Sequence, residues 1–383
     1  MKHPEGKRES AKLFRATATP LSSIFGSGFL VIVPILAGVA GPYSLPAMAG
    51  ISLLAYAVGS VIRYNIANVE PVLESNKILR KTLVLDRLSD IALIPAYVIS
   101  VCLYIKILSS FLLSGLGPGA VLEERILTST IVCAISVIGV TKGLKGLQKL
   151  ENWAIWSTMA IIILMIAGFL FHDVRLFFGS GLHLPVFPRT GLLHALAVLG
   201  GTLICVQGFE TSRYLGEEYN ASMRIKSCRL SQIIAAAVYI VFIAVATPLM
   251  SFLTGPARDD ALIVLAAKVS VILPLPLIAA AVLSQFSAAV ADTLGGEGNI
   301  VEASRERISH RIAYVAIGIG AFVITWSAST LQTVALASRA FAFYYSLQCF
   351  VAVSVSRKIP EKTGMIILAI ILLAITVFAT PAG

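Results

Sequence analysis

Apolar residues run along this chain in long stretches separated by short polar segments. A helix that crosses a bilayer needs roughly 20 mostly apolar residues. That length predicts about eleven spans, near 20–40, 44–68, 88–114, 125–141, 152–171, 192–215, 230–253, 268–293, 310–326, 329–355 and 363–380. No low-complexity or coiled-coil segment separates them. Two spans carry glycine at their middles: Phe25-Gly26-Ser27-Gly28-Phe29-Leu30 in the first and Gln207-Gly208-Phe209-Glu210-Thr211 in the sixth. Backbone polar groups in lipid must be satisfied internally, so an unwound stretch survives only where protein or a cavity surrounds it. Paired, glycine-interrupted segments in corresponding halves of a chain point to the binding site of a secondary transporter.

Composition excludes a soluble protein. Hydrophobic residues make up 57% of the 383 residues, charged ones 13%, and mean hydropathy is +0.88; soluble domains are about half apolar and about a quarter charged. A net charge of +10 raises the question of nucleic acid, but no stripe of base-stacking aromatics accompanies it. The basic residues fall instead in alternate loops: Lys2, Lys7, Arg8, Lys12 and Arg15; Lys77, Arg80, Lys81 and Arg87; Lys142, Lys145 and Lys149; Arg224, Lys226 and Arg229; Arg305, Arg307 and Arg311; Arg357, Lys358 and Lys362. The intervening loops hold only Arg125, Arg175, Arg189, Arg258 and Lys268. The positive-inside rule then puts the N-terminus in the cytoplasm and, with an odd number of spans, the C-terminus outside, in a multi-pass protein of the plasma (cytoplasmic) membrane. The charged segment 1–19 is followed by a full-length span without a small-residue cleavage site, which argues against a signal peptide. The five cysteines show neither metal-ligand nor disulfide spacing, so no metal site is expected from them.

Three motifs carry a family resemblance. Gly26-Ser27-Gly28-Phe29 looks like the first-span glycine motif of amino acid–polyamine–organocation permeases. Gly208-Phe209-Glu210, followed by Glu217-Glu218-Tyr219-Asn220 and Arg224, is similar to their sixth-span signature. Ile138-Gly139-Val140 with Lys142 and Gln148 resembles the end of the fourth span and its linker. The resemblance implies an all-α LeuT-like fold of two inverted five-span repeats, about 20–171 and 192–355 within a core of 20–355. Spans one and six are broken, and an additional helix follows at 363–380. Departures mark an outlying branch. Residues 152–157 lack the lysine that some proton-coupled members carry in the fifth span. Leu203-Ile204-Cys205-Val206-Gln207 replaces the usual aromatics before the sixth-span glycine, and Ala221 stands where a proline normally follows the asparagine.

The candidate solute-binding residues are Ser23, Gly26, Ser27, Gly28, Tyr104, Gln207, Gly208 and Phe209. Unwinding at Gly26 and Gly28 would free backbone N–H groups at the start of an outer half-helix, whose dipole favours an anionic group. The same small residues also serve close helix packing, and Tyr104 is equally a core aromatic. Glu210 is the candidate coupling residue, because a carboxyl at membrane depth is a functional hypothesis by default. It could carry a proton or form a fixed ion pair with Arg213 or Arg339. Ser284 and Ser287 of the eighth span are candidates by resemblance to sodium-coupled relatives, although serine in a membrane helix commonly bonds its own backbone. Asp292 is expected to reach water near the cytoplasmic end, Arg63 to snorkel, and Lys106 to line an outward vestibule or tether an acid.

No nucleophile–base pair or phosphate loop suggests an enzyme, and no cofactor is implied beyond a coupling H+ or Na+. The expected partners are a small-molecule solute and the bilayer, with no nucleic acid. The expected function is ion- or proton-coupled symport or exchange of a small polar solute, an amino acid or related amine, by alternating access. The alternatives are the same fold moving an inorganic ion or another organic solute, and a transport-inactive membrane sensor or assembly partner.

Overall fold

Among the described residues, eight helices are long and apolar enough to cross a membrane, and three further crossings complete the expected eleven. The computed structural model describes residues 4–75, 80–116, 120–144, 146, 149–179, 181, 184–186, 190–253 and 257–382, the side chains of 4–8, 27, 116 and 149–152 excepted. Lys2, Lys77, Lys145, Gln148 and Arg189 lie outside the described residues, as does the side chain of Ser27. No strand occurs among the described residues.

The first crossing is α1 (Pro4–Gly28) followed by α2 (Ile32–Val39). The helix therefore begins inside the charged N-terminal segment, and the break falls at 29–31, just after the glycines rather than on them. Gly26 and Gly28 are helical, which corrects the expectation that both lie in an unwound stretch. Pro34 sits in the first turn of α2, where a missing N–H costs little.

The second crossing joins α3 (Ser44–Tyr64) to α4 (Glu70–Leu73) through a π-helical turn over Asn65–Val69. Asn65 there donates to the side-chain and backbone oxygens of Gln348 at 2.7 and 3.1 Å. Next come α5 (Arg80–Leu113), α6 (Val121–Lys142) and α7 (Lys149–Phe178). At 22 residues, α6 is about 33 Å long at about 1.5 Å per residue, enough to cross.

The sixth crossing is the most irregular. Only α8 (Leu192–Gly200) is α-helical; 3-10 turns over Leu203–Val206 and Phe209–Tyr214 flank an extended Gln207. Then follow α9 (Ala221–Ala246), the short α10 (Ala261–Val269), α11 (Pro274–Ala303), α12 (His310–Ser327), α13 (Thr330–Val355) and α14 (Ile359–Phe378). The eighth span thus starts at Pro274, and the apolar residues before it form a separate short helix. Side-chain caps set several starts: Asn220 accepts from Met223, Ser309 from Ile312, and Ser329 forms a capping box with Gln332.

The centre is α5, buried almost continuously from Ile99 to Phe111 and packed against α11 and α13. α1 packs on α9, α7 and both 3-10 turns of the sixth crossing, α6 on α12, and α14 on α13. A broken first crossing, four more, a broken sixth, four more and a terminal helix constitute the LeuT-like architecture. The candidate site lies where the two broken crossings meet.

Candidate functional site at the two helix breaks

A broken helix leaves carbonyls and N–H groups that must find partners inside the protein. Here side chains from three other helices supply them. The Tyr239 hydroxyl of α9 lies 2.8 Å from the Cys205 carbonyl and 3.3 Å from that of Ile24, donating toward both broken crossings. The Gln285 amide of α11 donates to the Gly26 carbonyl at 2.6 Å. Ser338 of α13 donates to the Gly201 carbonyl at 2.7 Å and accepts from the Ile204 N–H at 3.0 Å.

The crossings also touch backbone to backbone. A Cβ added to Gly28 would overlap the Cys205 Cα. One added to Gly208 would stand 2.7 Å from the Ile24 nitrogen, and Gly208 has a φ of +122°, open in practice only to glycine. Both glycines are thus required by close approach.

Glu210 is 1% exposed. Its carboxyl accepts the Gly208 N–H at 2.9 Å and the Tyr345 hydroxyl at 2.7 Å, so the acid closes the turn that precedes it. Phe209 stacks on Tyr345 with ring centroids 5.5 Å apart. Neither expected cationic partner reaches Glu210. Arg213 turns to Asp86 at 2.9 Å, and Arg339 caps the end of α14 by donating to the Thr376 carbonyl at 2.7 Å. Among the described residues Glu210 has no ion pair.

Asp292 departs furthest from expectation. It is buried rather than reaching water, bears on the side chains of Ser100 and Tyr104, and interacts electrostatically with Glu210. One of its carboxyl oxygens is buried without a hydrogen-bond partner among the described residues. Tyr104 is enclosed beside these two acids, so a core position and a place at the site coincide. Gln207 and Gln285 each bury an amide oxygen without a partner among the described residues. Ser23, half-buried, lies against Gly208. Ser284 bonds the Ala281 carbonyl of its own helix at 3.1 Å, and Ser287 is buried on the same helix.

At the basic-loop end, ion pairs tie four elements together. Arg224 of α9 grips Glu70 of α4 with contacts of 2.6 and 3.0 Å and donates to the Arg213 carbonyl at 2.8 Å. Arg213, three residues beyond Glu210, pairs with Asp86 of α5. Arg63 does not snorkel: it is buried, donates to Gln232 at 2.5 Å and lies over the Tyr56 ring. Lys106 is buried and donates to the Ala328 carbonyl at 2.7 Å.

The sequence matches, over residues 7–379, the model of a family described as APC superfamily transporter. The chain belongs to that superfamily. This APC transporter is 38% identical over 370 residues to an uncharacterized protein of Aquifex aeolicus (strain VF5), covering 95% of this chain and 89% of that one. Its fold is similar to a crystal structure of the Eremococcus coleocola manganese transporter in complex with an aromatic bis-isothiourea substituted compound. The TM-score is 0.55 at 12% identity, over 98% of this chain and 87% of the other.

Sequence reasoning did not select Tyr239, Gln285 or Tyr345 as site residues, and it set Asp292 aside as reaching water near the cytoplasmic end. The available signal was a polar side chain within an otherwise apolar stretch of helix, the pattern that selected Glu210.

Proposed function

We propose that this APC superfamily member is a secondary active transporter of a small polar solute that bears an amino group, an amino acid or related amine, working by alternating access. The observation that carries this reading is the buried acid pair, Glu210 and Asp292, without a cationic partner among the described residues. Buried charges are ordinarily paired, and a solute ammonium is a natural complement to two carboxyls beside unwound backbone. Proton coupling through Glu210 is favoured over sodium at Ser284 and Ser287: Ser284 bonds its own helix, and Gln285 already fills the Gly26 carbonyl. The loop charges favour a cytoplasmic N-terminus in the plasma membrane.

A second reading, transport of an inorganic cation, draws on the same acids and on the fold likeness to a manganese transporter. Against it, no group of three or more His, Cys, Asp or Glu side chains could hold a metal among the described residues, whereas divalent cations take six or more oxygen ligands or near-octahedral sites.

The test is thermal-shift screening of the purified protein against amino acids, amines and inorganic ions at varied pH and sodium. A ligand at about 100 times its Kd stabilises by about 2.7 kcal/mol. The expected result is stabilisation by an amine-bearing solute in wild type and not in Asp292→Asn. Stabilisation by metal ions alone would replace this reading with the second, and no shift under any condition would remove both.

A further inference from the structure

We propose that a cleft at the face opposite the basic loops is a separate binding site for small zwitterions, α-amino acids in particular. The cleft has a volume of about 340 Å³, and its lining includes Lys106, Glu124, Arg125, Arg258, Asp259 and Thr330. Its charges are only partly matched to one another. Arg258 is committed to Asp260 through two contacts of 2.6 and 2.9 Å, which leaves Asp259 without an ion pair among the described residues. Among the described residues Glu124 receives only the Thr330 hydroxyl, at 3.2 Å. Arg125 lies over the Trp326 ring, 5.8 Å from its centroid.

The decisive group is Lys106. It is 3% exposed, its ammonium carries three N–H donors, and one of them reaches the Ala328 carbonyl at the end of α12. No carboxylate forms an ion pair with it among the described residues, although those of Glu124 and Asp259 are near enough to act on it. A lysine that served only to cap α12 would have no need of a polar cleft before its other donors. A ligand carboxylate would complete Lys106, and a ligand ammonium would complete Asp259 and Glu124. A zwitterion supplies both groups from one small molecule, and a singly charged solute supplies half. The cleft borders α5, α6, the start of α13 and Ala382, and contains neither Glu210 nor Asp292. It rests on the proposed function only in the class of solute.

Trp326 provides a local readout. The other two tryptophans, Trp153 and Trp156, are exposed on α7, so Trp153→Phe/Trp156→Phe leaves Trp326 as the single emitter. In lipid nanodiscs this protein is titrated with glycine, L-alanine, L-serine and L-leucine to 10-fold-spaced millimolar concentrations, and in parallel with propionate and ethylamine. The expected result is a saturable change in Trp326 emission with at least one amino acid, at least about tenfold weaker with either one-headed analogue, since each analogue forfeits one of the two charge-assisted contacts. Lys106→Met and Asp259→Asn each abolish it, and Glu210→Gln leaves it intact. No response to any of the four amino acids overturns the proposal, as does a response shared equally by the analogues or one that survives in both cleft variants. A response that vanishes in Glu210→Gln would assign the binding to the helix breaks instead. Loss of transport in Glu210→Gln with the Trp326 signal preserved separates the two sites.

Discussion

Gly208→Ala isolates the contact between the two broken crossings. The added methyl would meet Ser23 Oγ at 2.6 Å and two backbone atoms, the Ile24 nitrogen and the Ser23 carbonyl carbon, each at 2.7 Å. A hydroxyl can rotate away, but helical backbone cannot. A non-glycine residue held at a φ of +122° adds strain of about 1–3 kcal/mol, and overpacking adds about 1–3 kcal/mol. The sum is a loss of about 2–6 kcal/mol. The internal control is Gly38→Ala in α2, where an added Cβ meets nothing within 4 Å and a helical alanine gains about 0.5–1 kcal/mol over glycine. Thermal unfolding in detergent, followed by tryptophan emission, compares the two. On a scale of about 2–4 °C per kcal/mol, Gly208→Ala melts at least about 4 °C below wild type while Gly38→Ala melts at or above it. If Gly208→Ala melts with wild type, the crossings do not touch as described, and the account of both breaks fails with it.

Three further outcomes follow from named contacts. Tyr345→Phe leaves the buried Glu210 carboxyl with backbone N–H donors alone; the loss is about 1.5–3 kcal/mol in denaturant unfolding, larger than that of Tyr214→Phe, whose hydroxyl contact is 3.4 Å long. Tyr239→Phe strips the donor from the Ile24 and Cys205 carbonyls and costs about 1–3 kcal/mol for an unmet buried acceptor, read in the same assay. Arg224→Gln leaves the half-buried Glu70 with only its 3.7 Å contact to Arg213 and costs less than the roughly 3–5 kcal/mol of a buried pair broken outright; the Arg224→Gln/Glu70→Gln double variant recovers part of that loss, and a fully additive double variant would show that the pair is not coupled.

Much of the fold was legible because lipid imposes a length rule. Runs such as 329–355 and 363–380 mark α13 and α14 to within a few residues. What the length rule cannot mark is where a crossing breaks, since that depends on partners far away in sequence. Glycine at 26 and 28 pointed to the right turn of the first crossing, yet the helix continues through both because Gly28 is there to let Cys205 approach. At Gly208 the backbone itself needs glycine, and there the sequence signal and the break coincide. Glu210 stood out as a lone acid in an apolar stretch. Asp292 was passed over because it sits near Gly295, Gly296 and Glu297, a cluster that reads as a helix end, whereas α11 continues to Ala303. Arg339 was misassigned for a related reason: sequence position puts it near mid-span, but only packing shows that its side chain faces the end of α14 and not the site.

The geometry at the breaks also constrains how the protein can move. Gly28 rests on Cys205, Gly208 rests on Ser23 and Ile24, and the Tyr239 hydroxyl is directed at a carbonyl of each crossing. Neither broken crossing can shift alone without opening a backbone contact and unpairing a buried carbonyl, so the two move together with α9 or exchange these partners for a solute. The ion pairs of Arg213 and Arg224 hold the same elements at the basic-loop end, where Glu70 and Asp86 anchor them to the second crossing and to α5. Opening toward that end therefore requires the pairs to part, and opening toward the other does not. A solute bound to the Glu210 and Asp292 carboxyls would stand in for the partners that the broken crossings give up as they separate, while added salt would weaken the ion pairs of the basic-loop end. Under the alternating-access mechanism proposed above, the two faces would then be governed by different chemistry, ion pairs at the basic-loop end and the solute at the helix breaks.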